Sequence, residues 1–310
     1  MTIADTHAAS YRMTGFALAF VGTMLFGLKA IFVKLGFNAG GNTEQMMILR
    51  SLFSLPVFLV VGVIAWRNRK QPIRLQDIAS AAGLGWLSWY VCTWLDLQSL
   101  NYISVQLERL ILMLYPTITA LLARIFFKDR LTLQHGIALG LSYVGVILLA
   151  GPEAANVGPE VWKGVGLVGT ATILFGAYVT MSKSVITRLG SQLFTCVAMS
   201  AAALGIGVHT LVQTVAVGAP LPAFTPPILI NGVALALFST VLSAFAMNEG
   251  VSRIGPGLSS AVGSAGPIMT AIAAVVVLHE PFGWPHAASL VLTMLGLWLL
   301  VRAPVAKTSS

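Results

Sequence analysis

Five charged residues lie inside apolar segments in the first half of the chain. They are Lys29, Arg50, Asp96, Glu108 and Arg109. Burying an ionised side chain in an apolar environment costs free energy, so a charged residue in such a segment is interpreted first as a functional residue. Their charges nearly balance, which indicates a buried ionic network. The alternatives are a static structural cluster, or long side chains that extend to a polar surface.

Aromatic residues form a second candidate site. Trp86, Tyr90 and Trp94 recur at a spacing of four, which places them on one stripe of a helix, with Trp89 to one side. Such a stripe can line an amphipathic cavity, because the rings offer apolar contact and the Tyr and Trp tips are polar. The alternative is helix packing or an interfacial belt. The other residues predicted to line this cavity are Met113, Tyr178, Ser243, Ser260 and Ser264.

Small residues dominate the stretch from Gly255 to Pro267, which includes the last two of those serines. Irregular backbone within a membrane is tolerated where protein covers it or where it lines a cavity. The alternative is close helix packing through small residues. Pro116 and Pro267 interrupt apolar segments, and we expect them to act as hinges.

Catalytic chemistry finds little support in the sequence. His135, His209 and His286 are single and far apart, so no metal site is expected. No phosphate-binding loop and no G-x-S-x-G nucleophile motif occurs, so we expect no cofactor and no catalytic residue. Cys92 and Cys196 fall in apolar segments and are interpreted as small buried side chains.

Composition indicates a membrane protein. The 310 residues are 57% hydrophobic and 9% charged, too few charges for a water-exposed surface. The net charge of +8 is scattered between apolar segments, so nucleic acid is not an expected partner, and the lipid bilayer is. Ten apolar windows are long enough to cross a bilayer. They lie near 13–35, 45–66, 78–98, 104–127, 133–151, 162–186, 191–215, 228–250, 255–278 and 285–302.

Helices are predicted for these windows because continuous apolar stretches without alternation exclude a barrel. Basic residues between the windows lie almost entirely on one side if the N-terminus is inside. This distribution predicts two cytoplasmic termini in the inner membrane of a cell. We expect one membrane domain over 1–310 with no evident obligate protein partner, and a monomer is compatible with the sequence.

An internal repeat relates the two halves. Ile254 lies 151 residues after Ile103, and at this offset Pro116 meets Pro267. At an offset of 149 the residues from Leu25 to Gly27 meet those from Leu174 to Gly176. The alternative is that apolar helices resemble each other by composition. The order of the matches favours two five-helix repeats, 13–151 and 162–302. Because five is odd, the second repeat must be inverted.

Inverted repeats are typical of carriers that work by alternating access around a site at the middle of the membrane. In such a carrier the ionic network would close the outer mouth and break as that mouth opens. Glu249 lies near the inner end of the second half, where we expect a partial counterpart of the network.

The chain resembles the EamA-type branch of the drug/metabolite transporter superfamily. The resemblance rests on Tyr102-Ile103-Ser104 followed by Pro116 and Asp129, and on Arg253-Ile254-Gly255 followed by Pro267 and Glu280. In the first half, Lys128-Asp129-Arg130 departs from the family's usual Gly-Glu pair. The aromatic third span is similar to that of YddG-type amino-acid exporters.

The resemblance and the repeat together predict a secondary carrier for a small-molecule substrate. We expect export of amphipathic metabolites, above all amino acids including aromatic ones. The alternatives are phosphorylated metabolites such as nucleotide-sugars, which would need a cation at the cavity centre, or drug-like cations. A channel and a membrane scaffold or receptor are further alternatives, and the short loops disfavour a scaffold.

Overall fold

The computed structural model describes residues 3–69, 72–127, 133–216, 222–247, 249–250, 253–254, 262 and 266–302. Within this part the chain forms helices and contains no strand. The helices are α1 Ile3–Gly27, α2 Lys29–Asn38, α3 Thr43–Arg67, α4 Leu75–Gly85, α5 Thr93–Ser99, α6 Val105–Leu112, α7 Tyr115–Phe127, α8 Leu133–Val157, α9 Val161–Leu189, α10 Ser191–Val215, α11 Pro226–Ala234, α12 Gly266–Leu278 and α13 Trp284–Arg302. Two π-helices, π1 Trp86–Cys92 and π2 Leu235–Leu242, follow α4 and α11.

Within the described residues, these helices overlap each of the ten predicted spans, and the ninth span is described mainly from Gly266 onward. Six stretches within them are long and apolar enough to cross a membrane, and α12 and residues Trp284–Leu299 are shorter apolar helices. Large apolar side chains such as Val63, Ile147 and Leu211 are more than half exposed, as lipid-facing residues must be. The predicted all-α polytopic fold built from two repeats is confirmed.

Two spans contain a break. An interruption at Pro116 in the fourth span was expected, whereas the break in the first span was not. The first span consists of α1 and α2, which meet at Leu28. A Cβ on Gly27 would lie 2.7 Å from Thr270 Oγ1, so the missing side chain lets α1 approach α12 at this break. The fourth span divides into α6 and α7 at a turn that immediately precedes Pro116.

The π-helices occupy equivalent places in the two repeats. Leu235 lies 149 residues after Trp86, the same offset that aligns the first and sixth spans. A π-helix widens the helix and is frequent at functional sites. Its occurrence in the third span of both repeats shows that the repeat extends to helix geometry, which the sequence matches alone did not reveal.

Close contacts are also mirrored between the repeats. A Cβ on Gly15 would lie 2.7 Å from Ile254 Cγ2, and a Cβ on Gly164 would lie 2.6 Å from Ile103 Cγ2. Each glycine belongs to the first span of its repeat, and each isoleucine precedes the fourth span of the other. The repeats therefore interlock, and side chains from both surround the centre.

The two ends of the helical bundle differ in chemistry. At the Glu280 end, defined by Lys34, Ser104, Glu153 and Glu280, acidic side chains bind backbone groups. At the Arg188 end, defined by Arg69, Asp77 and Arg188, basic side chains dominate, and Arg188 Nε donates to Asp77 Oδ1 at 2.5 Å.

Candidate functional site

Three charged residues meet in the interior of the bundle, with Asp96 and Glu108 about one turn from the Glu280 end. Lys29, the first residue of α2, donates a hydrogen bond to Asp96 of α5. Its Nζ also lies 3.7 Å from Oε1 of Glu108 in α6. The exposed fractions of these three side chains are 10%, 5% and 0%. We call this group the Lys29 triad, and it joins three different spans of the first repeat.

The Lys29 triad is short of hydrogen-bond donors. Within the described part of the chain, Oδ1 of Asp96 and both carboxylate oxygens of Glu108 have no hydrogen-bond partner. Buried acceptors without donors cost about 1–3 kcal/mol each, and more when they are charged. Such groups require an explanation in strain, function or a bound species.

Arg109 follows Glu108 but faces a different neighbour. Its Nε donates to Thr270 Oγ1 in α12 at 3.3 Å, and its Cζ lies 5.2 Å from the centre of the Phe26 ring. Lys29 Nζ lies 5.9 Å from the same ring. Phe26 thus lies beside both cations and attracts each through its π face.

Arg50 binds the second repeat at another point. Its Nε donates to Thr240 Oγ1 in π2 at 3.1 Å, and its Cζ lies 5.6 Å from the centre of the Trp89 ring in π1. Arg50 is 7% exposed and forms no ion pair within the described residues. Its cation is therefore held by a hydroxyl group and an aromatic face between the two π-helices.

Trp89 links this arginine to an aromatic group in the second repeat. Trp89 Nε1 donates to Tyr178 Oη of α9 at 3.4 Å. Tyr178 stacks on Phe175 with ring centres 5.7 Å apart and lies 6.2 Å from the Phe194 ring. The result is a mostly buried surface with an apolar face, a phenol group and a guanidinium group, contributed by both repeats.

The predicted stripe of Trp86, Tyr90 and Trp94 faces elsewhere. Tyr90 Oη and His209 Nδ1 are 2.6 Å apart, and the Trp94 ring lies 6.4 Å from that of His209. The stripe packs on α10, where Gly205 leaves room for the Trp86 ring. Tyr90 and Trp94 line a small open cleft there.

The stripe lies on one face of the third span, as the spacing of four predicts. Trp89, set to one side in the prediction, faces Tyr178 and the second repeat, whereas the stripe faces α10. Which of these two faces binds substrate stays a prediction.

The remaining predicted lining residues are dispersed. Met113 lies in the turn between α6 and α7, 3.8 Å from the position a Cβ on Gly266 would occupy. Ser243 is buried and donates to the Ser239 carbonyl group at 2.7 Å, as serines in apolar helices do. Ser260 and Ser264 lie outside the described residues.

The two predicted hinges lie in the fourth span of each repeat. Pro116 is the second residue of α7, and Pro267 lies in the described helix α12. Proline is tolerated in the first turn of a helix because its missing N–H group has no partner there. Their role as hinges stays a prediction.

Glu249 is separate from the Lys29 triad. Its carboxylate accepts a hydrogen bond from Arg253 Nε at 2.8 Å, one helical turn away, and its side chain is 50% exposed. It belongs to a different environment from the five buried charges.

Acidic residues hold the start of α6 at the Glu280 end. Glu280 Oε1 accepts from the Val105 backbone N–H group at 2.8 Å, and Oε2 accepts from Gln106 Nε2 at 3.2 Å and more weakly from the Gln106 backbone at 3.4 Å. Glu153 accepts from the backbone and hydroxyl groups of Ser104 at 2.6 and 2.8 Å. Carboxylates are favourable at a helix N-terminus. Glu280 lies in the second repeat, whereas Val105 and Gln106 lie in the first. We call these three residues the Glu280 latch, because their hydrogen bonds join the two repeats.

Comparison with known proteins settles the family. A model of the EamA-like transporter family matches the chain twice, over residues 13–151 and 162–302. The chain belongs to the EamA-like transporter family.

Two similar proteins are named as transporters. The uncharacterized transporter YcbK of Bacillus subtilis is 24% identical over 265 residues, which cover 85% of each protein. The uncharacterized transporter YcxC of the same bacterium is 27% identical over 89% of this chain and 88% of its own. One crystal structure matches 93% of this chain and 96% of its own with a TM-score of 0.63 at 16% identity, which shows the fold alone.

Sequence reasoning missed two features of this EamA-like transporter. Glu280 was noted as an acidic residue before the last span, without a partner for it. Its position in a loop gave the only signal, because the start of α6 lies 175 residues away in the chain. The shortage of hydrogen-bond donors around Glu108 could be found only from the structure, because it depends on which polar groups lie within hydrogen-bond distance.

Proposed function

We propose that this transporter is a secondary carrier that exports small amphipathic metabolites, above all amino acids including aromatic ones, by alternating access. The observation that carries the proposal is the meeting of Arg50, Trp89 and Tyr178 between the two repeats. An amino acid needs a cation for its carboxylate group and an apolar face for its side chain, and this surface offers both.

The polarity of the loops supports the predicted orientation. Basic residues are concentrated at the Arg188 end and acidic ones at the Glu280 end. Under the positive-inside rule, the Arg188 end is cytoplasmic and the chain lies in the inner membrane with both termini in the cytoplasm. The Glu280 latch would then close the outer side.

Counterflow in proteoliposomes tests the proposal. The purified protein is reconstituted in vesicles loaded with unlabelled tryptophan, and entry of labelled tryptophan or phenylalanine is measured. We expect saturable uptake, with KM raised about tenfold by Trp89→Ala, since an aromatic pair contributes about 0.5–1.5 kcal/mol beyond the apolar area that it buries. Trp162→Ala, which removes an exposed tryptophan, should leave KM unchanged. Absence of flux for every amino acid would refute the substrate class.

A phosphorylated substrate is the second candidate. Lys29 already pairs with two carboxylates, so it does not offer a free cation. Arg50 does, because it pairs with no carboxylate within the described residues, and an arginine fork suits phosphate. Counterflow of a nucleotide-sugar that is abolished by Arg50→Gln and little changed by Trp89→Ala would favour this candidate over amino acids.

A further inference from the structure

The interior of the bundle holds more basic than acidic side chains. Three basic and two acidic residues lie there, each between 0% and 8% exposed: Lys29, Arg50, Arg109, Asp96 and Glu108. The other charged side chains that the structure describes lie near the ends of the bundle. A buried charge is costly unless a charge of opposite sign compensates it. The excess positive charge therefore favours the binding of an anion in the interior.

Arg50 supplies this excess charge. Lys29 pairs with Asp96 and lies near Glu108, and Arg109 acts electrostatically on both carboxylates. These four charges sum to zero when both carboxylates are ionised, and to a positive value otherwise. Arg50 acts on Asp96 without forming an ion pair with it. Its charge is thus the one that remains without compensation.

The guanidinium group of Arg50 has hydrogen-bond donors to spare. Its Nε donates to Thr240, whereas the four N–H groups on its Nη atoms have no acceptor among the described residues. A guanidinium fork fits the two oxygens of a carboxylate. Trp89 lies beside it and contacts Tyr178, so apolar ring faces adjoin the cation. This surface fits a carboxylate that is attached to an apolar group.

An ammonium group on the same ligand would find no accessible carboxylate. Oδ1 of Asp96 and both carboxylate oxygens of Glu108 lack donors, but protein encloses them. The Glu108 side chain is 0% exposed, so an ammonium group reaches it only if helices separate. A zwitterion would also leave the charge of the interior unchanged, because its own charges cancel.

Resting on the proposed carrier function, we propose that the preferred substrate is an amphipathic monocarboxylate that lacks an ammonium group. Its carboxylate binds Arg50 and cancels the excess charge, and its apolar part packs on Trp89 and Tyr178. A carboxylic acid of this kind remains when an aromatic amino acid loses its amino group. Within the proposed class of amphipathic metabolites, amino acids then bind more weakly than monocarboxylates of the same shape.

Three ligands that share an indole ring test the charge preference. Indole-3-propionate carries a charge of −1, tryptophan is a zwitterion, and tryptamine is a cation. Their binding to the purified protein is measured by isothermal titration calorimetry, which requires no transport. At an effective dielectric constant of about 20, a unit charge at about 10 Å changes the affinity for an ion by roughly tenfold. We expect indole-3-propionate to bind about tenfold more tightly than tryptophan, and tryptamine to bind most weakly.

Two variants change the charge of the interior in opposite directions while Arg50 is kept. Arg109→Gln removes a positive charge, and Asp96→Asn removes a negative one. The ratio of the Kd of tryptophan to that of indole-3-propionate should fall about tenfold in the first variant and rise in the second. Glu160→Gln, which alters an exposed carboxylate, is the control and should leave the ratio unchanged.

The outcomes separate this inference from the proposed function. Tryptophan that binds as tightly as indole-3-propionate refutes the inference, and tryptophan counterflow would then leave the carrier function standing. If indole-3-propionate binds best but none of the three ligands enters vesicles, the carrier function fails and the charge preference of the site stands.

The variants can also refute the inference. A shift of the Kd ratio in the same direction in Arg109→Gln and Asp96→Asn would show that the charge of the interior is not the cause. If neither variant folds, the comparison of the three ligands in the unaltered protein decides alone. Absence of binding by all three ligands refutes the inference.

Discussion

The hydrogen bonds of the Glu280 latch allow us to predict how far a substitution shifts the equilibrium between closed and open states. In Glu280→Gln, the side chain keeps one acceptor oxygen but loses its charge and its second acceptor. Val105 and Gln106 then share one neutral acceptor in place of a carboxylate. Hydrogen bonds to charged groups contribute roughly 1.5–3 kcal/mol and neutral ones roughly 0.5–1.5 kcal/mol. A carboxylate at a helix N-terminus contributes about a further 0.3–1 kcal/mol.

Glu280→Gln should therefore destabilise the state in which the latch is closed by about 2 kcal/mol. At 1.4 kcal/mol per factor of ten, the equilibrium between closed and open states at this end should shift by about 30-fold. The shift is measured as the distance between spin labels at Asn101→Cys and Gly283→Cys, with Cys92 and Cys196 replaced by alanine. Both label sites are exposed, and a Cβ at Gly283 meets nothing closer than 3.6 Å.

In the Glu280→Gln protein, we expect a larger fraction of molecules to show a longer distance between the two spin labels. Gln106→Ala removes the hydrogen bonds from Gln106 Nε2 to Glu280 Oε2 and to the Pro281 carbonyl group but keeps the carboxylate, so it should shift the populations less. Glu160→Gln, on the surface at the same end, is the control for loss of a carboxylate. An unchanged distance distribution in Glu280→Gln would show that the latch does not hold the repeats together.

Two further predictions concern stability, measured as the free energy of unfolding when sodium dodecyl sulfate is titrated into detergent micelles. Lys29→Met leaves two buried carboxylates without their cation and should cost about 3–5 kcal/mol; adding Glu108→Gln should recover part of this loss, and no recovery would contradict the triad. The exposed Lys163→Met control should change nothing measurable. Gly145→Ala places a Cβ 2.5 Å from Thr293 Oγ1 and should cost about 1–3 kcal/mol, whereas Gly140→Ala, with open space around it, should not; equal effects would refute the close packing of α8 on α13.

The sequence alone predicted much of the fold for a simple physical reason. A bilayer requires apolar segments of a minimum length, and this requirement is local, so ten spans could be located without any contact being known. The repeat at offsets of 149 and 151 then implied inversion, because each half contains an odd number of spans. Charged residues such as Lys29 and Glu108 stood out for the same reason, since few charges occur in apolar segments.

Orientation and partners of side chains depended on the tertiary structure. Helical spacing placed Trp89 to one side of the aromatic stripe, but it could not predict that Trp89 would contact Tyr178, because contacts between spans are not visible in periodicity. The Glu280 latch joins residues 175 positions apart, and only packing brings them together. The sequence thus determined which spans cross the membrane and which charges lie within them. The tertiary structure decided which of those charges are paired, because pairing is set by distances between spans that the order of residues does not contain.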